Sequence, residues 1–326
     1  MISTSVAVIS FVFGWFVDSN GLLGGVQGVL TSFLISIPVC QIELAGHRWR
    51  VLRALRHWPF YAVVLVKTAL YIVLILAATE LARLVMHPFN PQTFGLDRVF
   101  FYILIFASIM SLLVNAVIEA GRLLGFAVLG DLVTGRYHRP LREERVFLLI
   151  DMKSSTAMAE RLDDFDYHGL LNRFFRDITD AALEYGAVVH KYVGDEAILT
   201  WRAADALPRA RCVLCAFAVR ARIESRAVEY STRYGLVPEY RAALHIGDVV
   251  AGEIGDLKRE VAFVGDTVNT AARLLAACRE LERDVVASTT LLDRVTLPDG
   301  LASEPLVPLT LRGKGEAVSA MALHAA

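Results

Sequence analysis

Apolar positions along this chain fall into two regimes. Up to about residue 118 they form long runs, at residues 5–17, 22–39, 60–78 and 99–118. A helix that crosses a bilayer takes about 20 mostly apolar residues. The last three runs meet that length, and the first meets it only if residues 1–17 insert whole. A signal peptide reads similarly, but no basic stretch precedes the first run and no small-residue cleavage site is clear. Four spans are predicted, with a re-entrant first hairpin as the alternative. Beyond residue 120 the runs become short and alternate with polar positions. Residues 145–152 predict a strand, 168–185 a helix, and 188–192 with 197–201 a hairpin through Gly194-Asp195. Residues 241–255 read as a second hairpin with Gly247-Asp248 in its turn. A further strand ends at Gly265, and a helix opens near Asp266.

Charge follows the same division. Residues 1–120 hold 12 of the 67 charged side chains, and the rest of the chain holds 55. Mean hydropathy is +0.49 and formal net charge −1. The predicted organisation is a helical transmembrane region at 1–120, a helical linker at 121–144 and an α/β domain at 145–326. Near-zero net charge excludes the broad basic field of a nucleic-acid binder. Cysteines at 40, 212, 215 and 278 make no disulfide framework.

Orientation follows from the loops. Residues 46–58 carry Arg48, Arg50, Arg53 and Arg56, whereas the loop after the first run has Asp18 and no basic residue. The positive-inside rule puts 46–58 and the α/β domain in the cytoplasm, with short outer loops and no folded extracellular domain. Lys67, inside the third run, is either a functional intramembrane charge or a lysine snorkelling to an interface. Asn115 suits a helix–helix hydrogen bond. In the linker, Leu123, Leu124, Val128, Leu129 and Leu132 suit a helix ended by Gly135, with Pro140 preventing its restart. Its composition is not that of a flexible Gly/Ser tether, which favours transmission of a membrane signal.

Chemistry concentrates in the α/β domain. Asp151 ends a strand, and Ser154, Ser155 and Thr156 follow as N-cap candidates for the next helix. A carboxylate beside a helix N-terminus suits a metal that holds phosphates. Asp195, at a hairpin tip, supplies a second hard ligand, although Gly-Asp also simply makes turns. Asn269 and Arg273 lie four apart, on one helix face, where amide and guanidinium can stabilise oxyanions. Lys314 sits between two glycines, open to a phosphate or merely a turn lysine. Cys212 and Cys215 lie on an apolar helical pattern, which favours core packing over a metal or redox site. His245 is expected to pack within a strand. His190, one residue before Lys191, should face the other way.

Taken in order, FLLIDMKSST, KYVGD, GDTVNTAAR and GKG resemble the class III adenylate/guanylate cyclase catalytic domain over residues 145–315. The resemblance implies a ferredoxin-like α/β fold acting as a homodimer with sites at the interface. It implies that Asp151, Asp195 and the Met152 carbonyl hold two Mg²⁺ or Mn²⁺ ions. Asn269 and Arg273, from the other protomer, would stabilise the transition state at the α-phosphate, and Lys314 would hold phosphate charge. Lys191 matches the residue that selects adenine. The second base-selecting position is Ala262, which has no polar side chain, so base choice rests either on Lys191 and backbone groups or, with a shifted local register, on Glu260 as well. The expected activity is conversion of ATP to 3′,5′-cyclic AMP and pyrophosphate by an enzyme of the inner (plasma) membrane. Production of cyclic GMP, or a silent nucleotide-binding sensor, are the rival readings.

Overall fold

The computed structural model describes residues 8, 10–12, 15–16, 21–45, 58–86, 88, 98–257, 259–307 and 318–326. The chain divides into two compact units, Met1–Leu129 and Gly130–Ala326.

In the first unit, α1 (Gly21–Ala45), α2 (Phe60–Met86) and α3 (Arg98–Leu124) are long apolar helices. Among the described residues, two of them combine the length and composition of a membrane span: Gly21–Glu43 and Phe60–Met86, with mean hydropathies of 1.7 and 2.3. Little of either is covered by protein, and Leu65, Val73 and Leu84 stand out from α2. Within α3, Ala107–Gly121 is a shorter apolar segment among the described residues. Even so, Ile105, Ile109, Leu113 and Val117, at successive fours, form an exposed apolar stripe along it. Most of the first apolar run lies outside the described residues. Its Phe11 ring packs on α1 where Gly25 leaves room, since a Cβ there would come within 2.7 Å. The arginines of the 46–58 loop also lie outside the described residues.

Lys67 neither stands alone nor reaches for water. Its Nζ donates to Glu43 on α1 at 2.8 and 3.1 Å and to Glu119 on α3 at 2.8 Å. The Tyr71 hydroxyl also donates to Glu43. Asn115, fully buried, donates to Thr68 Oγ1 at 3.4 Å and so joins α3 to α2, as its sequence position suggested. The helix α4 (Phe126–Thr134) follows a break at Gly125, and Gly135, at φ +64°, ends it.

The second unit is a mixed eight-stranded sheet among the described residues. Its strands are β1 (Leu141–Met152), β2 (Val188–Val193), β3 (Glu196–Arg202), β4 (Tyr240–Ile254), β5 (Glu260–Val264), β6 (Val285–Ser288), β7 (Leu301–Pro305) and β8 (Ala320–Ala325). The order is β2-β3-β1-β4-β6-β8-β7, with β5 paired to β4, and only β4 and β6 run parallel. Side chains alternate along β1. Val146, Leu148, Ile150 and Met152 pack under helices α6 (Asp164–Glu184) and α7 (Arg211–Ser225); α5 (Ser155–Arg161) is the short helix after β1. Phe147 and Leu149 face α9 (Asp266–Glu280), with α8 (Ala227–Tyr234) elsewhere in the chain order. Each face is a continuous apolar core, so the sheet is fixed from both sides.

One expected hairpin is absent. Residues 241–255 form most of a single 15-residue strand, because β4 pairs with β1 along its length and then with β5. Gly247 is there for close approach: a Cβ would come within 2.7 Å of Thr267 Oγ1, whose hydroxyl donates to the Asp248 carbonyl. Cys212 and Cys215 are buried in the core, and burial pushes both thiols up to about 12. His245 pairs with Ser288 inside the sheet.

Candidate active site

The end of β1 carries Asp151, opposite Glu196 on β3 and Arg241 on β4. Gly194 takes φ +62° in the β2–β3 turn, a conformation that suits glycine. The turn thereby brings Asp195 into hydrogen-bond contact with Asp151. Burial first, and then the Asp195 charge, push the Asp151 carboxyl up to about 6. Burial and both aspartates push Glu196 up to about 7. Three acids thus crowd one strand end. The nearest counter-charge is the exposed Arg279, whose Nη2 lies 3.6 Å from Asp151 Oδ2. The donors are hard carboxylate oxygens, the ligand chemistry of Mg²⁺ and Mn²⁺. Met152 buries its side chain in the core, which leaves its carbonyl for any ligand role.

Ser154 departs from the expected capping. It takes a left-handed conformation, φ 57°, and makes no side-chain cap. Its carbonyl accepts the Met158 N–H at 3.0 Å, so the first turn of α5 closes through the backbone. Ser155 bonds the Tyr167 hydroxyl, and Thr156 is exposed. Lys153, between these groups, is held by Glu239 at 3.0 Å and Asp284 at 2.6 Å, which anchors the turn.

α9 opens at Asp266 directly after Gly265, as the sequence predicted. Asn269 is exposed on it. Arg273, one turn on, has a buried Nη1 with no hydrogen-bond partner among the described residues. A buried guanidinium N–H without an acceptor is costly, and an anionic ligand satisfies it. Ten residues after Asn269, roughly 15 Å along the helix at 1.5 Å per residue, Arg279 reaches Asp151. Asn269 therefore stands well away from the acid cluster of its own chain. Arg279 was not singled out in the sequence, where it is one of many surface arginines.

Lys191 Nζ donates to Glu260 Oε1 at 3.1 Å. Ala262 pairs across from Gly252 on β4. β2 carries a bulge between Val189 and Lys191, the segment that holds His190. The His190 ring rests against Phe263 at 4.8 Å, and burial, then the charge of Lys191, lower its pKa to about 4. Lys314 lies outside the described residues.

Residues 141–321 match the family model described as the adenylate and guanylate cyclase catalytic domain. The chain is 34% identical to adenylate cyclase 2 of Rhizobium meliloti (strain 1021) over 323 residues, 98% of this chain and 88% of the relative. That likeness runs through the apolar half as well. Among solved structures, the sheet unit is similar to the adenylyl cyclase CyaB from P. aeruginosa, with a TM-score of 0.51 over 58% of this chain and 97% of that one. A bacterial light-regulated adenylyl cyclase gives 0.54 over 66% of this chain and 64% of its own. At 19% identity each, these two show a shared fold and no more.

Proposed function

The chain belongs to the family of adenylate and guanylate cyclase catalytic domains, and on that premise we propose that it converts ATP to 3′,5′-cyclic AMP and pyrophosphate. The observation that carries this reading is the Asp151–Asp195 contact, two hard carboxylates at one strand end whose nearest counter-charge is the exposed Arg279. Asp151, Asp195 and the Met152 carbonyl are the residues that would hold two divalent cations. When bound, such ions supply positive charge that acidifies the ribose 3′-hydroxyl and neutralises the triphosphate. Asn269 and Arg273, whose buried Nη1 has no partner among the described residues, would donate to the α-phosphate oxygens as charge builds there. Lys314 would hold phosphate charge, and Lys191 would donate to the base.

The site is shared between two copies. Asp151 and Asp195 come from one, and Asn269 and Arg273 from the other, which is why roughly 15 Å of helix separates Asn269 from the acid cluster of its own chain. The helical unit anchors the enzyme in the plasma membrane with about four spans and the catalytic unit in the cytoplasm. Exposed apolar stripes on α2 and α3 support the bilayer as their environment.

Co-expression tests the shared site and the activity together. Asp151→Ala and Arg273→Ala should each be inactive as homodimers. A mixed dimer of the two keeps one intact site. Random pairing makes about half the dimers mixed, so roughly a quarter of wild-type activity returns if sites act independently. Background activity in confirmed mixed dimers overturns the interface arrangement. No cyclic nucleotide from the wild-type enzyme with ATP or GTP and Mn²⁺ overturns the activity itself.

A further inference from the structure

On β5, the Ala262 side chain offers no polar atom. Two residues earlier, on the same face of the strand, Glu260 accepts from Lys191 Nζ at 3.1 Å. The two side chains remain 44% and 40% exposed. An ion pair this open adds little to stability, but it presents a donor and an acceptor side by side to a ligand. The backbones beneath are well held. The ring of Phe263, next to Ala262, packs edge-on against Phe147 at 5.6 Å, meets His190 at 4.8 Å and lies under the Arg145 guanidinium at 4.4 Å. Arg145 is itself buried and donates to Thr200 at 3.0 Å and Glu143 at 2.6 Å. Both β2 and β5 are thus fixed at the point where Lys191 and Glu260 meet.

We propose that Lys191 and Glu260 read the nucleobase as one donor–acceptor pair, which makes Glu260 a specificity-determining residue. This rests on the cyclase reading and deepens it. An ammonium only donates and a carboxylate only accepts. Adenine presents an acceptor at N1 beside a donor amine at C6. Guanine presents the reverse order, a donor N1–H beside the acceptor O6. Lys191 opposite N1 with Glu260 opposite the C6 amine therefore fits adenine and places like beside like against guanine. The order of the two charges selects the base, and Ala262 takes no part.

The full-length enzyme in nanodiscs, assayed for kcat and KM with ATP and GTP and Mn²⁺, provides the test. Glu260→Ala and Glu260→Gln should lower kcat/KM for ATP about tenfold, mainly through KM, the size expected for losing one charged hydrogen bond. The ATP/GTP ratio should fall with it. Lys191→Glu alone and Glu260→Lys alone place two like charges together and should handle both nucleotides poorly. The double exchange K191E/E260K restores the pair in reversed order and should favour GTP. An ATP/GTP ratio within about twofold of wild type in Glu260→Ala overturns the proposal, as does a double exchange that still prefers ATP. If the double exchange does not fold, as judged by thermal unfolding, the Glu260→Ala and Glu260→Gln ratios decide alone. A wild-type enzyme that turns over neither nucleotide sinks the cyclase reading instead, so the two failures are distinguishable.

Discussion

Two clusters of ionisable side chains, one in each unit, are built on opposite plans. In the helical unit, Lys67 sits between Glu43 and Glu119, so three helices meet at one cation with its acids around it. In the sheet unit, Asp151, Asp195 and Glu196 crowd together, and the nearest guanidinium is exposed and 3.6 Å away. In the first cluster each acid has the buried cation beside it, as a buried ion network needs if it is to hold helices together. The second stores repulsion. Buried like charges are costly, and folds keep them where a ligand of opposite charge is to be bound. Acids that share a buried cation read as structure, and acids that crowd one another with only an exposed guanidinium beside them read as a candidate site.

The sharpest way to break this comparison is to remove charge from each cluster and watch opposite things fail. Asp151→Asn or Asp195→Asn should cost about 10³-fold or more in turnover, since an amide supplies no charge to hold a cation. The same change relieves repulsion in the cation-free protein, so its thermal unfolding midpoint should stay level or rise. A variant that loses activity only because it unfolds more easily would contradict the assignment.

Lys67→Met should behave in reverse. It leaves two buried carboxylates facing one another, and breaking a buried pair in this way costs about 3–5 kcal/mol. The expected readout is easier unfolding of the helical unit in nanodiscs. The neutral triple variant K67M/E43Q/E119Q should recover most of the loss, because removing a whole buried network is far cheaper than removing one partner. If K67M costs under about 1 kcal/mol, the range of an exposed pair, the triad does not hold these helices together.

Much of this contrast was legible in the sequence, but unevenly. The strand ending in Asp151, the Gly194-Asp195 turn and the helix opening at Asp266 all follow from local pattern, and the structure has them. What stayed hidden is long-range. Glu43 and Glu119 lie just past the ends of two apolar runs, and no periodicity says that both will meet Lys67. Gly247-Asp248 carries the same signal as Gly194-Asp195, yet one glycine makes room for Thr267 and the other takes a left-handed turn. The dipeptide cannot distinguish these uses, because the deciding contact lies 20 residues along the chain. Ser154 is a good capping residue by type, but its left-handed backbone makes no side-chain cap. Lys191 and Glu260 are 69 residues apart, and their pairing depends on β5 folding back from β4.

The smallest expected effect sharpens the comparison through pH. Asp151 and Glu196 titrate near 6 and 7 in the folded chain, above the ordinary carboxylate range, chiefly because they are buried and also because the acids repel. The folded state therefore holds protons more tightly than the unfolded state between about pH 4 and 7. The sign follows directly: this stability is fully present below the ordinary carboxylate pKa and is lost as pH rises through 6 and 7. A divalent cation bound by the deprotonated acids opposes that loss. Cation-free enzyme should unfold at a lower temperature at pH 8 than at pH 5.5, by about 2–6 °C for a unit of this size. Saturating Mn²⁺ should raise the midpoint markedly at pH 8 and little at pH 5.5, where protons compete for the same oxygens. Asp195→Asn should flatten both dependences, whereas K67M should leave them in place, since Lys67 belongs to the other cluster. A Mn²⁺ increment that is equal at both pH values would show that the cation does not bind through these carboxylates.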